Sequence, residues 1–147
     1  MDYQHHLLTG FLVGIVFIML THSFLGWFEV SLFSFLLFSF VIFIYSLLPD
    51  LDHPLSNITW LFIFVSLSIL ILGVSLKEDF YFYSGTGILL FTFICSKLFK
   101  HRGFIHSIFA GLIFSIPLYH FGIEFSLLGV VCYYSHLALD GFYFKVF

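Results

Sequence analysis

Long apolar segments separated by short polar breaks dominate this sequence. Six windows with few charges lie at roughly residues 7–23, 30–48, 58–76, 80–99, 103–121 and 125–139. Each window has about the length of a membrane-spanning helix. Stretches such as 60–72 are apolar on every face, whereas the strands of a membrane barrel would alternate. The pattern predicts an all-α integral membrane bundle of about six transmembrane helices with short loops.

The composition supports this prediction. Of the 147 residues, 61% are hydrophobic and 9% are charged, whereas a soluble domain carries about 25% charged residues. Residues 1–147 are therefore predicted to form a single transmembrane helical domain. The chain has five Lys and Arg residues and a formal net charge of -3, which argues against nucleic acid as a partner. The opening segment MDYQHH lacks the basic region of a signal peptide, so the first span is expected to be retained.

The basic residues predict an orientation in the cell membrane. If the chain crosses the membrane at every window, four of the five Lys and Arg residues lie on the same side as both termini: Lys97, Lys100, Arg102 and Lys145. Lys77 falls on the other side. Because an excess of Lys and Arg marks the cytoplasmic side, both termini are predicted to face the cytoplasm.

Histidine and aspartate residues gather at the predicted helix ends on that same side. Ionisable residues at membrane depth are costly and point to function by default. His136 and Asp140 are four positions apart and so share one helical face, and His106 is expected to project from the first turn of the fifth helix. Imidazole and carboxylate ligands without thiolate suit zinc, manganese or iron. The sequence therefore predicts a metal site facing the cytoplasm, with candidate ligands His6, Asp50, Asp52, His101, His106, His136 and Asp140.

These candidates, together with His53, exceed what one ion requires, so two divalent ions are predicted, with zinc favoured. Simpler interpretations remain open at single residues. His5 is expected to be a solvated residue at the membrane interface, and His53 is either a ligand or a turn residue. Arg102 is either a positive-inside anchor or part of the site. Ser107 and Ser135 are expected to bond their own backbone, and Gly10 with Gly14 forms a small-residue face suited to close helix packing.

Three motifs carry a resemblance to a known family. At LPDLDHP, HRGFIHS and SHLALD the chain resembles the YdjM-like family of membrane-bound metal-dependent hydrolases, and His6-Leu7-Leu8 with Gly10 is similar to that family's opening element. The resemblance implies that the seven candidate ligands form the polar site, with Arg102 alongside. The chain departs from the family where Ile105 replaces a frequent threonine, and where only seven residues follow Asp140.

The expected function is metal-dependent hydrolysis of an amphiphilic phosphoester, either a membrane lipid or a lipid-linked compound. A metal-activated water would be the nucleophile, and Asp50 or Asp52, whichever is not a ligand, would orient it or accept its proton. Arg102 would contact a phosphate oxygen through its planar guanidinium group. The alternative is a divalent-cation transporter or a metal-binding membrane scaffold without catalysis. Transport sites more often lie near the bilayer midplane between broken helices. The candidate ligands here lie instead at predicted helix ends on one side of the membrane, which favours the hydrolase.

Overall fold

The computed structural model describes residues 3–28, 31–99 and 103–141, with Leu98 described by its backbone alone. Within these ranges all the regular structure is helical, which confirms the predicted all-α fold. The α-helices are α1 (Tyr3–Leu25), α2 (Leu32–Leu47), α3 (Asn57–Leu76), α4 (Asp79–Leu98), α5 (Ile108–Ser115) and α6 (Ile123–Leu139). Shorter 3-10 segments lie at Leu48–Asp52, Phe104–His106 and Ile116–Phe121.

Three helical segments of the described chain are long and apolar enough to cross a membrane. They are Tyr3–Leu25, Leu32–Asp52 and Asn57–Leu76. Two shorter apolar segments, Ile108–Phe121 and Ile123–Leu139, follow later in the chain. Lengths and composition therefore support a membrane protein, while the count of six spans and the side of the termini stay predictions.

The predicted fifth helix is divided into three pieces. The Ser107 side chain accepts a hydrogen bond from the Ala110 amide at 3.1 Å and so caps the start of α5. Pro117, which has no amide hydrogen to continue an α-helix, lies at the beginning of the last 3-10 segment. His106 consequently belongs to a 3-10 turn before α5, so the prediction that it projects from the first turn of that helix was wrong.

The chain divides into two compact units, whose described residues fall within 1–49 with 106–147 and within 50–105. In the first unit, α6 packs against α1, α2 and α5. Its core includes Val41 and Ile42 of α2 with Leu128, Cys132 and Tyr133 of α6, all of them buried. The prediction of a single domain stays a prediction.

Helix α1 approaches its neighbours through glycine. Its buried residues are His6, Gly10 and Gly14, which are four positions apart and so lie on one face. A Cβ atom at Gly10 would overlap the Ser46 side chain, and one at Gly14 would lie 2.8 Å from Ile42 Cγ1. The small-residue face predicted for the first span is therefore a close helix contact, with His6 at its beginning.

The second unit is built on an antiparallel hairpin of α3 and α4. Lys77 turns the chain in the left-handed region with φ 56°, and the Glu78 amide donates to the Gly73 carbonyl at 3.0 Å. A Cβ atom at Gly85 would lie 2.7 Å from the Leu70 backbone nitrogen. The two helices are therefore in near backbone contact towards this turn.

Candidate metal centre

Four polar residues of the first unit meet at the ends of its helices. His6 is in the first turn of α1, His106 ends the 3-10 turn before α5, and His136 is in the last turn of α6. Asp140 follows α6 directly. The exposed fractions of His6, His106 and His136 are 2%, 0% and 0%, and the Asp140 side chain is 6% exposed. We call these four residues the imidazole–carboxylate cluster.

The carboxylate of Asp140 is the common neighbour of the three imidazole rings. Its Oδ1 atom lies 3.3 Å from His6 Nε2. Its Oδ2 atom lies 3.4 Å from His106 Nε2 and 3.6 Å from His136 Nε2. The predicted pairing of His136 with Asp140 on one helical face is confirmed, and the same carboxylate gathers the other two rings.

The backbone of α2 sets the orientation of the His136 ring. The Nδ1 atom of His136 lies 2.7 Å from the Ser46 carbonyl oxygen. Because a carbonyl oxygen can only accept, Nδ1 carries a proton and donates it, and Nε2 is the nitrogen that faces Asp140. A histidine that ligates a metal is oriented in the same way, with its second nitrogen bonded to a carbonyl or carboxylate.

Ring packing holds the other two histidines in place. The rings of His6 and His136 stack with centroids 3.9 Å apart and planes 16° apart. The His106 ring meets that of His136 edge-on at 5.7 Å. Each ring is therefore restrained by packing as well as by the shared carboxylate.

The ionised state of the Asp140 carboxylate suits a metal ligand. Its contact with His136 holds the pKa of the carboxyl well below the usual range, and His6 and His106 act in the same direction. The group is therefore ionised at neutral pH, the state in which a carboxylate binds a metal.

The donor set fits a divalent cation. One ligand atom from each of His106, His136 and Asp140 lies within 4.8 Å of the other two. Zinc takes nitrogen and oxygen ligands of these types at about 2.0–2.2 Å. These three residues could therefore hold one metal ion, with His6 packed beside them.

Asp50 and Asp52 belong to the second unit, in the 3-10 segment Leu48–Asp52. The Asp50 carbonyl accepts hydrogen bonds from the His53 amide at 3.0 Å and the Ser56 hydroxyl at 2.7 Å. The Leu55 amide donates to His53 Nδ1 at 3.3 Å, which favours the turn interpretation of His53. Metal ligation by Asp50 and Asp52 stays a prediction.

The remaining residues singled out by the sequence lie outside the imidazole–carboxylate cluster or outside the described residues. His101 and Arg102 lie outside the described residues, so their roles stay predictions. His5 is exposed beside the buried His6, as expected of a solvated residue. The Ser135 hydroxyl donates to the Cys132 carbonyl at 2.7 Å, which confirms a bond to its own helix.

Comparison with known protein families gives a match over nearly the whole chain. Residues 1–145 match the family described as YdjM inner membrane protein. No curated protein and no solved structure matches the chain. The matched range includes every residue of the imidazole–carboxylate cluster.

Proposed function

The chain belongs to the YdjM inner membrane protein family, and we propose that it is a membrane-embedded, metal-dependent hydrolase of an amphiphilic phosphoester. The observation that carries the proposal is the convergence of three imidazole Nε2 atoms on the buried Asp140 carboxylate. A buried cluster of this kind at helix ends is costly in a membrane protein and indicates function rather than packing.

His106, His136 and Asp140 would hold the metal. The Ser46 carbonyl keeps His136 Nε2 directed at the site, and His6 restrains both the ring of His136 and the carboxylate of Asp140. A bound divalent cation would supply a Lewis acid that lowers the pKa of water and offsets the charge of a phosphoryl group. Zinc is our first choice because the ligands are mainly imidazole, and two ions are proposed because seven candidate ligands exceed the needs of one.

Residues beyond the cluster would complete the chemistry. Asp50 or Asp52, whichever is not a ligand, would accept the proton of the attacking water. Arg102 would contact a non-bridging phosphate oxygen, for which its planar group is suited. These roles come from the sequence motifs, and they assign proton transfer and substrate orientation to different side chains.

An apolar groove in the first unit supports an amphiphilic substrate. It lies between α1 and α2, has a cavity volume of about 550 Å³, and is lined by Gln4, Leu7, Leu8, Phe11, Ser39 and Phe43. Leu7 follows His6 of the cluster directly. An acyl chain in this groove would keep the apolar part of the substrate beside the helix end that carries the polar site. We place this end at the cytoplasmic side, following the distribution of basic residues.

The test is release of phosphate or phospho-headgroup from long-chain phosphoesters in mixed micelles. The purified protein would be supplied in turn with zinc, manganese or iron, with a chelator as the negative control. His136→Gln removes a ligand, and His120→Gln is the matched control because His120 is an exposed histidine outside the cluster. The proposal predicts release by the wild type and by His120→Gln, and loss of release in His136→Gln and with chelator.

The same experiment separates the hydrolase from the transporter or scaffold. A wild-type protein that binds metal and releases nothing from any phosphoester would contradict the hydrolase. Metal-dependent uptake of the cation into proteoliposomes by that protein would then assign transport, and its absence would assign a scaffold.

A further inference from the structure

A second groove lies in the other unit, at the end of the hairpin where α3 begins and α4 ends. Its cavity volume is about 550 Å³, within the range of about 300–1,000 Å³ that small-molecule sites occupy. Residues from both helices and from the preceding turn line it: Pro54, Leu55, Thr59, Trp60, Ile63, Leu89, Leu90, Thr92, Phe93, Ser96 and Lys97.

The hydroxyl groups along this groove are directed to backbone carbonyls. Thr59 Oγ1 donates to the His53 carbonyl at 2.9 Å, and Thr92 Oγ1 donates to the Ile88 carbonyl at 2.8 Å. Ser96 Oγ has the Phe93 carbonyl at 3.4 Å. Because these hydroxyl groups donate to backbone carbonyls, the wall of the groove is effectively apolar as far as the end where Lys97 lies.

Lys97 gives that end a positive charge. It is exposed and lies in the last turn of α4, and none of the described residues that line the groove is acidic. Two more cations, Lys100 and Arg102, follow within five positions in the sequence. An apolar groove that ends at a cation is complementary to an acyl chain that ends at an anionic headgroup. The groove beside α1 has the neutral Gln4 in its lining instead.

We propose that the groove between α3 and α4 binds one acyl chain of an anionic phospholipid, with Lys97 contacting the headgroup phosphate. From Leu89 to Lys97 the groove follows α4 for about 12 Å at the helical rise per residue. It therefore holds the part of the chain next to the headgroup. This site is independent of the imidazole–carboxylate cluster and of hydrolysis.

Trp60 makes this binding measurable because it lines the groove. The chain has two tryptophans, Trp27 and Trp60. A Trp27→Phe variant would leave Trp60 as the single fluorescent reporter. Its quenching by phospholipids brominated on the acyl chains reports contact between an acyl chain and the Trp60 ring at the groove.

The experiment compares quenching by brominated phosphatidylglycerol and brominated phosphatidylcholine in vesicles of the two lipids. One basic residue near the membrane surface contributes about a fivefold preference for anionic lipid. We expect this preference in the Trp27→Phe protein, its loss in Lys97→Gln, and its retention in Lys97→Arg. Lys77→Gln is the matched control, because Lys77 also ends a helix of this hairpin but does not line the groove.

Equal quenching by the two lipids in the Trp27→Phe protein would overturn the proposal. A preference for the anionic lipid that survives Lys97→Gln, or that is lost in Lys77→Gln, would also overturn it, because a charge other than that of Lys97 would then cause the preference. An unchanged emission maximum of Trp60 checks that the variants fold. Bound metal measured in parallel tests the cluster separately, so either proposal can fail without the other.

Discussion

His6 and His136 stack face to face, with ring centroids 3.9 Å apart, although they lie near opposite ends of the chain. The stack joins the first turn of α1 to the last turn of α6. It depends on the close approach of α1, whose buried face continues from His6 through Gly10 and Gly14. Helix packing and site geometry are thus set by one face of α1.

Gly10→Ala should destabilise the protein and weaken metal binding. The added methyl group would overlap the Ser46 side chain, and Ser46 also orients His136 through its carbonyl. Overpacking of this kind costs about 1–3 kcal/mol. Gly87→Ala is the matched control, because nothing lies within 4 Å of a Cβ atom there. Thermal unfolding in detergent should show a lower midpoint only for Gly10→Ala; equal midpoints would refute the close contact.

His6→Gln and His5→Gln should differ sharply although the residues are neighbours. His6 is buried against His136 and Asp140, whereas His5 is exposed. Residues that orient metal ligands typically contribute 10- to 100-fold to affinity. A competition titration with a chelating dye should show at least a tenfold loss for His6→Gln and none for His5→Gln. Similar affinities in both variants would remove His6 from the site.

Removal of metal should lower the thermal stability of the wild type. A ligand that binds only the folded state, at a free concentration of 100 times its Kd, adds about 2.7 kcal/mol to the free energy of unfolding. A chelator should therefore reduce the melting temperature of the wild type but not that of Asp140→Asn, which already lacks the ligand charge. A chelator effect of the same size in both proteins would place the metal at another position.

Both termini should be cytoplasmic. A cysteine introduced as Asp2→Cys should stay unlabelled by an impermeant maleimide in intact cells and react after permeabilisation. Lys77→Cys, on the opposite predicted side, should be labelled without permeabilisation. The reverse pattern would contradict the orientation and the cytoplasmic placement of the site.

Much of the fold follows from hydrophobic length and local spacing. The polar break at Pro49 to Asn57 separates α2 from α3 as predicted, because apolar windows and turn residues are local properties of the sequence. The pairing of His136 with Asp140 follows from the i, i+4 spacing of a helix. The buried position of His6 could also have been read from its spacing with Gly10 and Gly14.

Other features depend on tertiary approach and have no local signal. The Ser46 carbonyl bonds His136 because the end of α2 packs against α6. Every residue carries a carbonyl, so side-chain patterns do not identify that acceptor. The division of the fifth helix was missed because its apolar composition outweighed the Ser107 cap and Pro117.

Anomalous scattering at metal absorption edges, measured on crystals of the purified protein, would show directly whether His106, His136 and Asp140 bind a metal ion. We expect a peak in contact with these three side chains, strongest at the zinc edge after growth with zinc, and absent from crystals of Asp140→Asn. Crystals of the wild type that show no anomalous peak at these three residues with zinc, manganese or iron supplied would contradict a metal centre here.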